Sequence, residues 1–202
     1  MKETIMQCTP IHLSGIYVTL EPLTQEHLPE IQSAVADGEL WKLFFTSVPA
    51  PENVQQWLVA ALDMQQQQTA IPFAIRDNAS GKIVGSTRYW KMEAHNKRLE
   101  IGHTWYAKSA QRTGVNTECK LLLLTHAFEV FNCIAVEFRT DYFNHKSQAA
   151  IERLGAKRDG LLRNHTIMPD GRIRDTVVYS ILEHEWPGVK KNLQYMQSKY
   201  AK

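Results

Sequence analysis

The first part of the chain alternates between apolar and polar residues and then changes to a helical spacing. The β-branched stretch from Tyr17 to Glu21 alternates and ends at Pro22, which predicts a strand. Apolar residues then recur every three or four positions from Gln25 to Val35, and again from about Pro51 to Gln67. The pattern therefore predicts one strand followed by two helices.

Three further strands are predicted in quick succession in the middle of the chain. They cover Ile71 to Arg76, Lys82 to Trp90 and Arg98 to Tyr106, with polar turns between them. Strands joined by such short loops form an antiparallel meander. We therefore expect these three strands to be neighbours in one sheet.

The second half of the chain alternates helices with strands. The predicted elements are a helix from Thr117 to Phe131, a strand from Ile134 to Thr140, a short helix from Ser147 to Leu154, a hairpin turn at Pro169 to Gly171 and a last strand from Thr176 to Leu182. The first of these helices must make a crossover that places the next strand parallel to the one ending at Tyr106. The predicted class is α/β with a mixed sheet flanked by helices. A doubly wound nucleotide fold is excluded because the meander precedes the first crossover.

Composition indicates one globular domain. The 202 residues are 44% hydrophobic and 22% charged, and no compositional break divides them. We expect a single domain over residues 1–202, with a core from about 15 to 186 and a tail from 187 to 202 that is helical after Pro187.

Charge and residue usage exclude several kinds of function. Lys plus Arg number 23 against 21 for Asp plus Glu, which is no basic excess for binding nucleic acid. The apolar runs are too short for a membrane-spanning helix, and the acidic start, Met1 to Gln7, predicts a cytoplasmic protein without a signal peptide. The three cysteines and eight histidines show no ligand spacing, so we expect no metal.

A loop before the helix at Thr117 carries the first candidate chemistry. Ala107 to Thr117 contains Arg112 and Gly114 and runs into a helix N-terminus, where free backbone N–H groups and the helix dipole attract phosphate. Such loops are common, so an ordinary structural role stays open on this feature alone.

Several motifs in order resemble the GNAT superfamily of N-acetyltransferases. The segment Gln111 to Asn116 is similar to the Q/R-x-x-G-x-G/A phosphate loop of that family, and Asn144 to Ser147 is similar to its N-x-x-S/A helix. Glu100 to Trp105 and Arg174 to Ser180 look like the ribosomal-protein acetyltransferase branch (RimJ/RimL). The resemblance covers nearly the whole chain, although Asn116 stands where a small residue is usual.

The resemblance implies a GNAT-like fold with a splayed central sheet and acetyl-CoA as cosubstrate. The pantetheine arm would contact the backbone of Trp105, Tyr106 and Ala107, and Asn144 would bond it as well, although a plain helix cap remains open for Asn144. The residues implied around the pyrophosphate are Gln111, Arg112, Thr113, Gly114, Val115, Asn116 and Thr117. Ser147 would lie near the thioester.

Amine acetylation needs a base and a donor for the leaving thiolate. Glu100 is the candidate base, and strand alternation predicts that it shares a face with Gly102 and Thr104; an ion-pair role stays open for it. Ile151 stands where many family members have a tyrosine acid, so Ser147 or a water would supply the donor.

The expected function is transfer of an acetyl group from acetyl-CoA to a primary amine by direct attack in a ternary complex. The acceptor is either a protein N-terminal amine or a small-molecule amine, and its pocket would lie in the loops Leu40 to Pro51 and Asn164 to Arg174. The alternative is a non-catalytic acyl-CoA-binding sensor or partner module on the same fold. We expect a monomer or a homodimer.

Overall fold

The structure is a computed structural model, and it describes residues 6–200. In chain order the helices and strands of this part are β1 (Leu13–Ser14), β2 (Val18–Pro22), α1 (Leu28–Ala36), α2 (Val54–Gln66), β3 (Ala70–Asp77), β4 (Ile83–Glu93), β5 (Arg98–Tyr106), α3 (Val115–Glu129), β6 (Ala135–Asp141), α4 (His145–Arg153), β7 (Lys157–Ile167), β8 (Ile173–Leu182) and α5 (Trp186–Ser198).

The eight strands form one mixed sheet in the order β1-β2-β3-β4-β5-β6-β8-β7. Strands β3, β4 and β5 are an antiparallel meander, and β6 pairs with β5 in parallel after the crossover through α3. The predicted class, meander and crossover are therefore confirmed.

Element boundaries differ from the sequence prediction mainly in the second half. Helix α3 begins two residues earlier than predicted, at Val115, and the last strand begins at Ile173 rather than at Thr176. Gly171 has a φ of 82° in the turn between β7 and β8, which is a backbone conformation that glycine adopts without strain. This turn lets two long strands pair as a hairpin that extends past the rest of the sheet.

Strands β5 and β6 separate along their length. Their register pairs Arg98 to Glu100 with Ala135 to Glu137 and goes no further, although β5 continues to Tyr106 and β6 to Asp141. The result is a wedge-shaped opening in the sheet, which we call the β5–β6 gap. The splay that the family resemblance implied is present.

A buried carboxylate ties the start of α3 to both ends of the chain. Glu118 accepts hydrogen bonds from the backbone N–H groups of Ile16, Tyr17 and Val18 at 2.9, 2.5 and 2.8 Å, and from the side chain of Gln197. Three peptide donors on one carboxylate hold the β1–β2 turn and helix α5 against α3. The tail is helical from Trp186, with Pro187 in its first turn as predicted.

Two further expectations from the sequence are a cytoplasmic location, read from the N-terminus, and the absence of a membrane-spanning helix. The start of the N-terminal segment used to predict localisation, residues 1–5, and residues 201–202 of the tail lie outside the described part. Between residues 6 and 200, no helix is both long enough and apolar enough to cross a membrane.

Candidate active site

The loop between β5 and α3 forms a concave edge of backbone donors. Arg112 has a φ of 63°, so the left-handed conformation that turns the chain into the helix is adopted by an arginine and not by a glycine. Gln111 before it is extended and Gly114 after it has helical φ and ψ, so the loop enters the N-terminus of α3, where free N–H groups and the helix dipole suit a phosphate. Gly114 is helical, and an added Cβ would already meet the rings of Tyr17 and Tyr200 at 3.4 Å.

A second cation lies at this helix N-terminus. Arg153, at the end of α4, donates from both terminal nitrogens to the hydroxyl of Thr117 at 3.3 Å. Thr117 itself is buried, so its side chain is a fixed acceptor for the guanidinium. Sequence reasoning gave Arg153 no role, because it lies 36 residues from Thr117 in the chain and no local pattern joins them.

Asn144 and Ser147 follow β6 at the same edge of the sheet as this loop. The Asn144 side chain accepts from the Ser147 backbone N–H at 3.0 Å, so Asn144 is the N-cap of α4. This is the helix-capping role that the sequence analysis left open for Asn144. The cap uses the side-chain oxygen, so the NH2 group of the same side chain can still donate a hydrogen bond. Ser147 is half-buried.

Glu100 lies at the closed end of the β5–β6 gap. It is the last residue of β5 that pairs with β6, six residues before the end of the strand at Tyr106, or roughly 20 Å away. Its side chain is 4% exposed, and one carboxylate oxygen is 3.3 Å from Lys91 and 3.4 Å from Arg139. Burial raises the pKa of Glu100 despite these two cations.

The expectation that Glu100, Gly102 and Thr104 share a face is wrong at Thr104. The pairing of β4 with β5 shifts between the pairs Arg88–Gly102 and Ser86–Trp105, and His103 at the shift has a φ of 51°. This bulge inserts one residue and reverses the alternation that follows. Thr104 consequently points to α3 and bonds Lys120 at 2.9 Å.

Lys120 is a buried ammonium group beside the gap. It is bonded to Thr104 on β5 and lies 5.9 Å from the ring centre of Phe138 on β6, so it reaches both separated strands. Burial lowers its pKa. A lysine on the apolar face of the predicted helix was the sequence signal for this position, and sequence reasoning did not use it.

The two loops predicted to surround the acceptor come together in the structure. Arg172, after the β7–β8 turn, donates to the Phe44 carbonyl at 3.3 Å and to the Asp141 carboxylate at 2.6 Å. Its guanidinium carbon is 5.2 Å from the ring centre of Phe44. The wall so formed borders the C-terminal end of β6.

The sheet face next to Glu100 is open on its β6–β8 side. A shallow cavity of about 450 Å³ lies there, and its lining includes Arg98, Glu137, Arg139 and Asp159. No group of three or more His, Cys, Asp or Glu side chains suited to a metal ion occurs within residues 6–200.

Comparison with known sequences and structures gives one consistent result. A sequence model described as Acetyltransferase (GNAT) domain matches residues 18–157. YdaF of Bacillus subtilis (strain 168), which carries the provisional name ribosomal N-acetyltransferase, is 29% identical over 85% of this chain and 92% of its own length.

Solved structures agree with this result. A protein of T. thermophilus, provisionally named an acetyltransferase, is 36% identical and superposes with a TM-score of 0.83, covering 95% of this chain and 99% of its own. RimJ of Mycobacterium smegmatis, solved in complex with CoA-disulfide, shares the fold with a TM-score of 0.78 at 20% identity, covering 94% of this chain and 96% of its own.

Proposed function

Because the chain belongs to the GNAT acetyltransferase family, we propose that it transfers the acetyl group of acetyl-CoA to a primary amine, by direct attack in a ternary complex. The acceptor is a protein N-terminal amine or a small-molecule amine. The provisional name of the Bacillus subtilis relative supports a protein acceptor. The wall formed by Phe44 and Arg172 is compatible with either kind of acceptor.

The observation that carries the proposal is the β5–β6 gap. Its open end lies at the N-terminus of α3, where Arg112 and Arg153 add positive charge to the helix dipole, and this combination suits a pyrophosphate. Its closed end holds Glu100. Beyond Glu100 the facing edges of β5 and β6 leave peptide groups free to bond an extended arm as a strand would be bonded. An anion site, an edge for a pantetheine arm and a buried base therefore follow one another along the gap.

In the binding step, the chain supplies backbone and cationic groups. Peptide groups of Trp105, Tyr106 and Ala107 would hold the arm, and the loop from Gln111 to Thr117 would hold the phosphates. Acetyl-CoA supplies the activated thioester. Asn144 keeps its cap on α4 and offers its side-chain amide to the arm.

In the chemical step, Glu100 takes a proton from the acceptor amine, directly or through a water. The amine nitrogen forms a bond to the carbonyl carbon while an N–H on the free edge of β5 stabilises the oxyanion. The oxyanion then collapses and the C–S bond breaks, while the hydroxyl of Ser147 hydrogen-bonds the departing thiolate. The thiolate takes up, through a water, the proton that the acylated nitrogen loses and leaves as the thiol, and Glu100 returns its own proton to solvent. A raised pKa makes Glu100 a better base than an ordinary carboxylate.

The alternative is a non-catalytic sensor, because a fold alone does not guarantee chemistry, and it is favoured slightly by Ile151, which stands where many family members have a tyrosine. The Ile151 side chain is buried in the core. The buried carboxylate at the closed end of the gap favours catalysis, since burying an ionisable group there has a cost that acyl-CoA binding alone does not require.

A screen for thiol release from acetyl-CoA tests the proposal. Small amines and short peptides with free N-termini are compared with the same peptides blocked at the N-terminus. We expect thiol release only with free amines, together with the acetylated acceptor by mass spectrometry. Binding of acetyl-CoA without amine-dependent thiol release across the panel would support the sensor instead.

A further inference from the structure

Unpartnered polar atoms concentrate on β4 and β5 and around the start of β8. Among residues 6–200, eight of the ten buried side-chain polar atoms without a hydrogen-bond partner belong to Arg88, Trp90, Glu100, His103, Trp105, Arg172 and Arg174. The Glu100 oxygen among them is nevertheless held by the ion pairs with Lys91 and Arg139. The Trp90 indole interacts with the same carboxylate, so the other six atoms are the ones to explain. Buried polar groups are normally hydrogen-bonded within a protein. All of these six but the histidine nitrogen are obligate donors, so this region is prepared for a ligand that accepts hydrogen bonds.

The same region carries an excess of positive charge. The imidazole of His103 has its pKa lowered to about 3, first by burial and then by Arg88, Lys91 and Arg174. Burial lowers the pKa of His165 as well, and Lys91 and Arg174 act on it in the same direction. Both histidines are consequently neutral near pH 7. Lys91 is 3.3 Å from Glu100 and Arg174 is 3.8 Å from Asp141, so within residues 6–200 Arg88 is the one of these three cations that has no carboxylate partner.

Arg88 is the most unusual of these cations. It is 2% exposed and makes no ion pair within the described part of the chain. Its guanidinium lies 5.2 Å from the ring centre of Trp57, and its one polar contact is the Met64 sulfur at 3.3 Å. Burial lowers its pKa to about 10, so it is still charged at neutral pH. An ionised group buried without a counter-ion is costly.

Arg76 on the neighbouring strand shows the ordinary arrangement. Its guanidinium donates to the carboxylates of Glu21 and Glu30 at 2.6 to 3.4 Å. The two arginines thus provide a matched pair: Arg76 is neutralised by carboxylates of the protein, and Arg88 is not.

We propose that Arg88, together with Arg174 nearer the surface, binds an anionic group, a carboxylate or a phosphate, carried by the acceptor amine. This inference rests on the proposed function and specifies its substrate class. The indole N–H of Trp105 and a nitrogen of His103 supply further hydrogen bonds in the same cluster.

The register fixes how far the anion lies from the reacting nitrogen. Arg88 is opposite Gly102, and Trp90 is opposite Glu100. Arg88 and Glu100 are therefore diagonal neighbours on one face, with Cα atoms roughly 7–8 Å apart. An anion on Arg88 and an amine on Glu100 must belong to one small molecule of amino-acid type, with a few bonds between the two groups.

Matched acceptors test the specificity. The carboxylate pair is β-alanine against β-alaninamide, and the phosphate pair is phosphoethanolamine against ethanolamine. We expect kcat/KM for acetyl transfer to be higher for the anionic member of one pair by about tenfold to a hundredfold, as a charge-assisted hydrogen bond gives. The pair that shows the preference identifies the anion. Equal values in both pairs, or a better reaction with peptide N-termini, would overturn the inference.

The variant Arg88→Met tests the residue. Methionine keeps most of the volume, so the preference should fall to about one, while the thermal midpoint stays the same or rises because a buried unpaired charge is removed. Arg76→Met is the matched control, and it should lower the midpoint without changing the preference. A lowered midpoint with the preference intact in Arg88→Met would show that Arg88 is only structural.

Binding without turnover separates this inference from the proposed function. N-acetyl-β-alanine, its amide and inorganic phosphate are titrated against the total tryptophan emission, to which Trp57, Trp90 and Trp105 contribute three of the five indoles. A saturable change with an anion, absent with the amide and in Arg88→Met, supports the site even if no amine is acetylated. Acetylation without any anion preference or binding would refute the site and leave the proposed function standing. Neither binding nor acetylation would refute both.

Discussion

Replacing Glu100 by glutamine removes the candidate base and keeps its size. The carboxylate is buried at the closed end of the β5–β6 gap, with Lys91 and Arg139 at 3.3 and 3.4 Å. We expect turnover at neutral pH to fall by a factor on the order of 10² to 10⁴, which is the usual contribution of a positioned base. Affinity for acetyl-CoA should be unchanged, because the phosphate loop is roughly 20 Å away.

The fold should tolerate this change. The side chains of Lys91 and Arg139 are 39% and 22% exposed, so both can be hydrated when their carboxylate partner is lost. We expect a change in unfolding free energy of no more than about 1 kcal/mol, because the desolvation cost of the buried carboxylate offsets most of the gain from its two ion pairs. A loss of turnover therefore cannot come from unfolding.

The decisive assay is the pH–rate profile on one amine. Burial raises the pKa of Glu100, and the carboxylate is its active form, so parental turnover should fall as pH drops through that raised pKa. Because the folded protein holds this proton more tightly than the unfolded chain, the contribution of Glu100 to stability decreases as pH rises through the same range. Glu100→Gln should lack both effects, and its turnover deficit should shrink at high pH, where the amine is already deprotonated.

Glu21→Gln is the control for a half-buried, ion-paired carboxylate outside the gap. Arg76 bonds Glu21 and lowers its pKa, so this variant should lose some stability and keep parental turnover. Near-parental turnover of Glu100→Gln at neutral pH would refute the assignment of Glu100 as base. A deficit that stays constant up to high pH would also refute it, since that is the behaviour of a structural carboxylate.

Three other outcomes are expected. Gly114→Val should weaken acetyl-CoA affinity in calorimetry at least tenfold, because two tyrosine rings already touch the Cβ position. Gly188→Val is the control and should not weaken it, since a Cβ at Gly188 meets no other atom within 4 Å. Equal affinities of the two variants would remove the loop from the site. Glu118→Ala should lower the unfolding free energy in urea by about 2 to 4 kcal/mol, because three backbone donors lose their acceptor. An unchanged urea midpoint would contradict the role of Glu118 in holding the β1–β2 turn against α3. Activity should survive exhaustive chelation, and loss restored by zinc would show that a metal had been missed.

The elements of the fold were predictable because their signals are local. Periodicity identified the meander and the crossover helix, and the crossover rule placed β6 parallel to β5. The bulge at His103 was not predicted, although Gly102 lies directly before it and a glycine within a strand can mark a bulge. It depends on how β5 fits β4, which is a tertiary property, and it reversed the expected side of Thr104.

The candidate site could be proposed from the sequence only where a motif is contiguous. The candidate phosphate loop and Asn144 lie in such motifs, whereas Arg153 and Arg88 acquire their significance through partners distant in the chain. Arg88 is an extreme case, since its distinguishing feature is a missing carboxylate, and only a structure shows that residues 6–200 place no counter-ion within ion-pair distance of it.

The central claim is direct transfer of the acetyl group from acetyl-CoA to an amine within one ternary complex. A single-turnover experiment with labelled acetyl-CoA, enzyme in excess and a reactive amine from the screen tests it most directly. The account predicts that label appears on the amine at the same rate as free thiol appears, with no labelled protein at any time. Label accumulating on the protein before the amine would contradict direct attack, and intact acetyl-CoA throughout would contradict catalysis.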